Sequence, residues 1–367
     1  MEGAYKMETI SLAMIVKNEE KTLDNCLSSI CDLVDEIIIV DTGSSDKTKE
    51  IARKYTNNIY DFEWVDDFAK ARNYAFSKAT CDLIMWLDAD DILLPEDQRK
   101  FRELRSKITD DMTHISMIYN CGKNKFGEPI LSFRRNRIVK NIHKDQWRGF
   151  IHEYLDYNIE TSYKSEVEIT HTANHSHGTR NLDIYLKKYN EGVEFDARNC
   201  YYFGTELMNN NRLEEAIGSF EKCISKVGTT WIEDIINAHI QISECKSRLG
   251  LFKDGREILF KCLEYTRPRV SIYYRIGCLF MEDKRWYDAI YYFEEILKMD
   301  VPKSSSFVNN EEYTWKPRLQ LCVCYYNIGD SITSRKYNKD VLDSYPDLDI
   351  AINNEKFFKN LLDGENN

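Results

Sequence analysis

The sequence lacks an excess of positive charge. Its 50 lysines and arginines face 61 acidic residues, a net charge of −11. That argues against a general nucleic-acid binder, because neutralising a phosphate backbone takes a basic face. Long apolar runs are also missing. The longest, Glu36-Ile37-Ile38-Ile39-Val40 and Leu83-Ile84-Met85-Trp86-Leu87, are strand-sized and far short of the ~20 residues of a membrane span. No signal peptide is visible, and residues Met1–Lys6, ahead of a second methionine at Met7, are expected to be a disordered leader or an upstream start. There is no Cys-x-x-Cys pair. The 11 cysteines are odd in number and scattered, which suits buried thiols in a reducing, cytoplasmic setting better than disulfides or a zinc ribbon.

What is present points to two domains, since 367 residues exceed one ordinary core. From Ile10 to Ile92 the pattern alternates: strands at Ile10–Val16, Glu36–Asp41 and Asp82–Leu87, with helices at Lys21–Cys31, Lys47–Tyr55 and Ala69–Lys78. Such alternation predicts a parallel sheet with crossover helices, whose ligands bind at the carboxyl ends of the strands. All three ends are polar: Lys17-Asn18-Glu19-Glu20, Asp41-Thr42-Gly43-Ser44-Ser45-Asp46 and Asp88-Ala89-Asp90-Asp91. An apolar strand that runs into three carboxylates places charge where packing alone would avoid it. If the strand continues through Asp88-Ala89-Asp90, both outer carboxylates point to one face and suit Mg²⁺ or Mn²⁺; the alternative is a solvated turn leading into a helix at Pro95.

Between Thr109 and His177 shorter strands rich in aromatic and basic residues are expected to close the site. From Asn181 onward the sequence is helical, with a weak repeat starting near Ala197, Asn237, Val270 and Trp315, at offsets of 40, 33 and 45 residues, against about 34 for the tetratricopeptide template. Phe203-Gly204, Leu207, Ala216 and Phe220, and again Ile276-Gly277, Phe280, Ala289 and Phe293, occupy the template's packing positions. The small residues let paired helices approach closely.

The blocks Met14-Ile15-Val16-Lys17-Asn18-Glu19-Glu20, Val40-Asp41-Thr42-Gly43-Ser44-Ser45-Asp46-Lys47-Thr48, Asp67-Phe68-Ala69-Lys70-Ala71-Arg72-Asn73, Leu87-Asp88-Ala89-Asp90-Asp91 and Gly149-Phe150-Ile151-His152-Glu153, in this order, resemble family 2 glycosyltransferases of the GT-A fold. The whole chain resembles bacterial members with a C-terminal tetratricopeptide domain, peptide and bacteriocin S-glycosyltransferases among them. The resemblance implies a Rossmann-like GT-A domain over residues 7–190 followed by an all-α tetratricopeptide-like domain over 195–363. It implies a metal-dependent, inverting transfer of a hexose or N-acetylhexosamine from a nucleotide sugar, a UDP-sugar first of all, to a peptide, protein or glycan. The helical domain would hold the acceptor or make a homodimer.

It also implies roles. Val16, Asn18, Glu19, Asp41, Arg72, Asp88 and Ala89 would bind the nucleotide sugar, Asp90 and His171 would take Mn²⁺ or Mg²⁺, and Glu153 would be the catalytic base, with Asp90 the other catalytic residue. Chemistry leaves several alternatives open. Asp41 can accept from a uracil imide or a ribose hydroxyl, or merely start an Asx-turn. Arg72 can meet the diphosphate or pair with an aspartate of the triplet. Asp88 can bind ribose or reach the metal through water. Glu153 can take the acceptor's proton or only pair with Arg134 or Arg148. His175 and His177 are rival metal ligands or parts of a lid. Trp64 and Trp147 can stack on sugar faces or fill the core. Two other classes compete: a nucleotidyltransferase, for which a glycine-rich nucleotide loop is lacking at Lys17-Asn18-Glu19-Glu20, and a non-catalytic scaffold with a relic sheet domain.

Overall fold

A computed structural model describes residues 7–125, 127–142, 146–158, 161–172, 178–226, 231–300 and 308–365. Met1–Lys6, His175 and His177 lie outside these. The chain forms two compact units, Met1–Ser176 with Lys303–Val308, and His177–Pro302 with Asn309–Asn367.

The first unit is α/β and Rossmann-like. Strands β1 (Ile10–Val16), β2 (Glu36–Asp41) and β3 (Ile59–Asp61) pair in parallel, β1 also pairs in parallel with β4 (Leu83–Met85), and the sheet runs β3-β2-β1-β4. It continues through β7 (Pro129–Lys140), β6 (His114–Lys123), β10 (Tyr163–His171) and the two-residue β5 (Asp91–Ile92) in that order; β7 is antiparallel to β4 and β6, and β5 to β10. Strands covered on both faces need apolar residues at every position rather than alternate ones, which is what Ile37-Ile38-Ile39-Val40 supplies. Leu12, Met14, Ile37, Ile39 and Met85 pack on one face with α1 (Leu23–Ile30). Ala13, Ile38, Val40, Ile84 and Trp86 pack on the other with Ala75 and Phe76 of α3 (Phe68–Phe76). Two further helices, α2 (Thr48–Ala52) and α4 (Pro95–Arg105), and the hairpin of β8 (Trp147–Arg148) with β9 (Tyr154–Leu155) complete the unit.

The acidic strand is shorter than expected. β4 stops at Met85 and the triplet turns: the Asp91 N–H donates to the Asp88 carbonyl at 3.0 Å, and the Asp88 N–H donates to Asp91 Oδ2 at 3.1 Å. A carboxylate three residues ahead that accepts the backbone N–H makes a turn cheaper than continued pairing. Asp88 and Asp90 therefore do not share a strand face.

In the second unit α5 (Arg180–Asn190) precedes antiparallel pairs: α6 (Ala197–Asn209) with α7 (Leu213–Ser225), α8 (Ile232–Arg248) with α9 (Phe252–Cys262), and α10 (Val270–Glu282) with α11 (Trp286–Ile296). After the short α12 (Asn310–Tyr313) come α13 (Trp315–Asn327), α14 (Ser331–Ser344) and α15 (Asp349–Glu365). Three of the four expected repeat starts coincide with helix starts. The remaining one begins at Ile232 instead of Asn237, because Glu233 and Asp234 suit the positive end of a helix and Ile235 and Ile236 are buried. Helix α5 belongs to this unit: its Tyr185 ring meets Phe195 edge-on, with centroids 5.6 Å apart.

The small residues earn their positions. A Cβ on Gly204 would lie 2.7 Å from the Phe220 ring, and one on Gly277 would lie 2.7 Å from the Phe293 ring. Both rings are fully buried, so neither can withdraw. Gly204→Ala and Gly277→Ala are each expected to destabilise this unit by about 1–3 kcal/mol, the usual cost of overpacking; a melting curve matching wild type would show that the pairs are not held this closely.

Candidate active site

The polar ends of β1 and β2 are laced together. Asn18 adopts φ 58°, a left-handed conformation that asparagine tolerates. Its N–H donates to Ser44 Oγ at 2.9 Å and its Oδ1 accepts from the Ser45 N–H at 2.8 Å. The Glu19 N–H donates to Thr48 Oγ1 at 2.7 Å, and the Val16 carbonyl accepts from the Thr42 N–H at 2.9 Å. Val16, Asn18 and Glu19 thus hold the loop that carries Asp41. Asp41 Oδ1 accepts from the N–H groups of Gly43 and Ser44 at 2.9 and 2.8 Å, which makes the Asx-turn. Its buried Oδ2 has no hydrogen-bond partner among the described residues, so the turn former keeps one acceptor in reserve.

Asp67 caps α3 by accepting from the Lys70 N–H, and one turn on the helix delivers Arg72, buried at 6% exposure. Burial of a cation requires neutralisation. Arg72 Nε donates to Glu153 Oε1 and Nη2 to Asp88 Oδ1, each at 2.6 Å, while the guanidinium lies 4.7 and 4.8 Å from the rings of Trp86 and Trp147. Burial opposes the charge, but the two carboxylates outweigh it and raise the Arg72 pKa. For Asp88 burial acts upward, and the Arg72, Arg135 and Arg137 guanidiniums override it to hold the carboxyl well below its usual range.

Glu153 is not paired with the arginines expected from its sequence neighbourhood. Arg134 donates to the Ser165 carbonyl and Arg148 faces Asp156. Arg72 is the partner because the segment is tied to α3: Asn73 exchanges hydrogen bonds with both backbone groups of Trp147, and the Phe150 carbonyl accepts from the Phe68 N–H at 2.8 Å. Glu153 Oε2 meets no bond from the described residues. Trp147, at 2% exposure and packed edge-on against Trp86 and Phe76, is core and not a sugar platform. Trp64 is half-buried, edge-on to Phe68, and donates to Asp66.

A second cluster forms where β10 ends. His171 pairs across the sheet with Asp91, and the Thr172 N–H and hydroxyl both donate to the Asp90 carbonyl. Ligand atoms of Asp90, Asp91 and His171 lie within 4.8 Å of one another. His171 Nδ1 is 3.4 Å from Asp90 Oδ1 and 3.0 Å from the Tyr119 hydroxyl. Hydrogen bonds to Asp90 and Asp91 push the imidazole pKa up to about 10, so ligation of a cation would have to expel that proton. Two carboxylates and an imidazole suit Mn²⁺ or Mg²⁺. Asp91 is already engaged by Arg137 at 3.0 Å and the Tyr119 hydroxyl at 2.9 Å. Asp90 and His171 are the other two members of the cluster.

Sequence reasoning assigned no role to Asp91, Arg135, Arg137 or Tyr119. A signal existed: Arg135 and Arg137 stand two apart on β7, and so share one face. That face is Trp86, whose ring lies 4.5 Å from the Arg135 guanidinium and 3.9 Å from that of Arg137.

Residues 11–159 match the model described as Glycosyl transferase family 2. A TPR repeat-containing protein of Synechococcus elongatus is 45% identical over 150 residues, 41% of this chain and 36% of that protein. The SPbeta prophage-derived glycosyltransferase SunS of Bacillus subtilis is 26% identical over 230 residues, 59% of this chain and 53% of that protein. The chain therefore spans about a third and about half of the lengths of these relatives. Among solved structures, YrrB, a TPR protein with an unusual peptide-binding site, aligns at a TM-score of 0.37 and 16% identity, over 50% of this chain and 85% of that one.

Proposed function

We propose that this chain, whose residues 11–159 match the Glycosyl transferase family 2 model, is a metal-dependent, inverting glycosyltransferase that moves a hexose or N-acetylhexosamine from a UDP-sugar to a peptide, protein or glycan. The observation that carries this is that the carboxyl ends of β2, β4 and β10, strands of one sheet, bear three arrangements: the spare acceptor on Asp41, the Glu153–Arg72–Asp88 bridge, and the Asp90–Asp91–His171 cluster.

In this scheme Asp41 Oδ2 accepts from the uracil imide. Asp90 and His171 would hold Mn²⁺ or Mg²⁺, which supplies a Lewis acid for the departing diphosphate. Glu153 Oε2 receives the proton of the acceptor hydroxyl or thiol as that atom bonds to the anomeric carbon. Arg72 holds Glu153 in place through its Nε–Oε1 bond, and Trp86 and Trp147 flank the guanidinium. The helical unit is assigned to holding the acceptor or joining two copies.

Calorimetry of UDP binding tests the scheme through Asp41→Asn, which keeps the Oδ1 turn but replaces the spare acceptor by a donor. The expected result is a loss of about tenfold or more in affinity, the effect of mispairing a buried polar group, with an unchanged melting temperature. Equal affinity returns Asp41 to the role of turn former alone. Failure of wild type to bind any nucleotide sugar would favour the scaffold alternative, which fits the name of the Synechococcus relative, a TPR repeat-containing protein.

A further inference from the structure

We infer that Arg135, resting on the nucleotide-sugar assignment above, is the side chain that grips the donor's diphosphate. Beyond the pairing of Met85 with Ile138, the Trp86 N–H still donates to the Arg137 carbonyl at 3.2 Å. This carries β7 past the end of β4 and sets Arg135 beside the triplet, with its Nη1 4.0 Å from Asp88 Oδ2. The guanidinium lies 4.5 Å from the Trp86 ring and 5.5 Å from that of Tyr119.

Its two neighbours are already committed. Arg72 is bonded to Glu153 and Asp88, Arg137 to Asp91, and their side chains are 7% and 0% exposed. Arg135 meets no hydrogen-bond acceptor among the described residues, and its side chain is 28% exposed. Its donors are therefore available to the crevice. A planar guanidinium stacked on an aromatic face has already lost much of its rotamer freedom, and its edge matches two anionic oxygens at once.

Position selects the anion. Arg135 borders the Asp88–Arg72–Glu153 bridge through Asp88. It borders the other cluster through Tyr119, whose hydroxyl donates to Asp91 and meets His171. A group lying between the proton acceptor and the cation site is, in this reaction, the diphosphate with the anomeric bond. Charge agrees. The four carboxylates Asp88, Asp90, Asp91 and Glu153 face three guanidiniums, so a divalent cation with neutral His171 leaves the site one positive charge in excess, which an incoming diphosphate offsets.

The test is calorimetry on the full chain with Mn²⁺, using UDP, UMP and uridine against wild type, Arg135→Gln and Arg135→Lys. Arg135→Gln should lose at least about tenfold in UDP affinity, the value of a charge-assisted bond, while uridine affinity stays within about twofold. Arg135→Lys should recover part of the loss, and all three proteins should melt together. Unchanged UDP affinity overturns the inference. A parallel fall for UDP and uridine overturns it in favour of a structural role, and a raised acceptor KM at unchanged UDP affinity overturns it in favour of an acceptor anion. If wild type binds uridine but gains nothing from the diphosphate, Arg135 has no such anion to hold, whereas a wild type that binds none of the three sinks the donor assignment as well.

Discussion

Asp90→Ala is expected to reduce nucleotide-sugar turnover by three or more orders of magnitude while the protein keeps its wild-type far-UV spectrum and melting temperature to within a few degrees. Asp90 is 5% exposed and lies 3.4 Å from His171 Nδ1, and with that imidazole it forms the part of the cluster not engaged by Arg137. A Lewis acid on the leaving diphosphate is worth several kcal/mol of barrier, and each 1.36 kcal/mol is tenfold in rate. Removing the carboxylate also relieves part of what raises the His171 pKa, so the variant imidazole should titrate lower by NMR. EDTA should reproduce the kinetic loss in wild type, and Mn²⁺ or Mg²⁺ should restore it. Full turnover in EDTA, or a wild-type rate in Asp90→Ala, rejects the metal assignment.

The next largest effect is expected from Glu153→Gln. Transfer to acceptor should fall by roughly 10²–10⁴-fold, the range for loss of a general base, with UDP and Mn²⁺ affinities within about threefold of wild type. The amide can still accept from Arg72 Nε, so the 2.6 Å contact that ties the loop to α3 survives in form. What disappears is the carboxylate oxygen that takes the proton. Near-normal transfer would leave Glu153 as a counter-ion for Arg72. A loss of donor affinity would instead show that neutralising Glu153 shifts Arg72 and with it Asp88, since a buried guanidinium deprived of one of two partners tightens on the other or seeks water. Arg72→Lys on the same preparation separates these outcomes: a single ammonium cannot bridge two carboxylates in the plane that guanidinium occupies, so transfer should fall even though Glu153 is intact.

Much of the frame was legible because it depends on local pattern. The strands Ile10–Val16 and Glu36–Asp41 appear at the expected limits, since continuous apolar runs bounded by polar turns have few other uses. The close helix pairs were marked by Gly204 and Gly277, where a missing Cβ is itself the signal. The acidic triplet misled because two spacings compete there. Period two would align Asp88 with Asp90 along a strand, but a backbone bond from Asp91 to Asp88 closes a turn and separates them.

The sequence by itself determined the α/β order of the first unit, the helical repeat of the second and the residues able to bear charge at the sheet's edge, because periodicity and capping act over a few residues. Which charges meet was decided only by tertiary structure. Glu153 lies 81 residues from Arg72 and five from Arg148, yet it bonds to the distant one. The hairpin of β8 and β9 is anchored to α3 through Asn73, and two tryptophan faces exclude the water that would otherwise separate the ions. Asp91, Arg137 and Tyr119 converge from β5, β7 and β6 in the same way. Burial makes an unpaired charge prohibitive, so partner choice follows from which elements pack together rather than from distance along the chain.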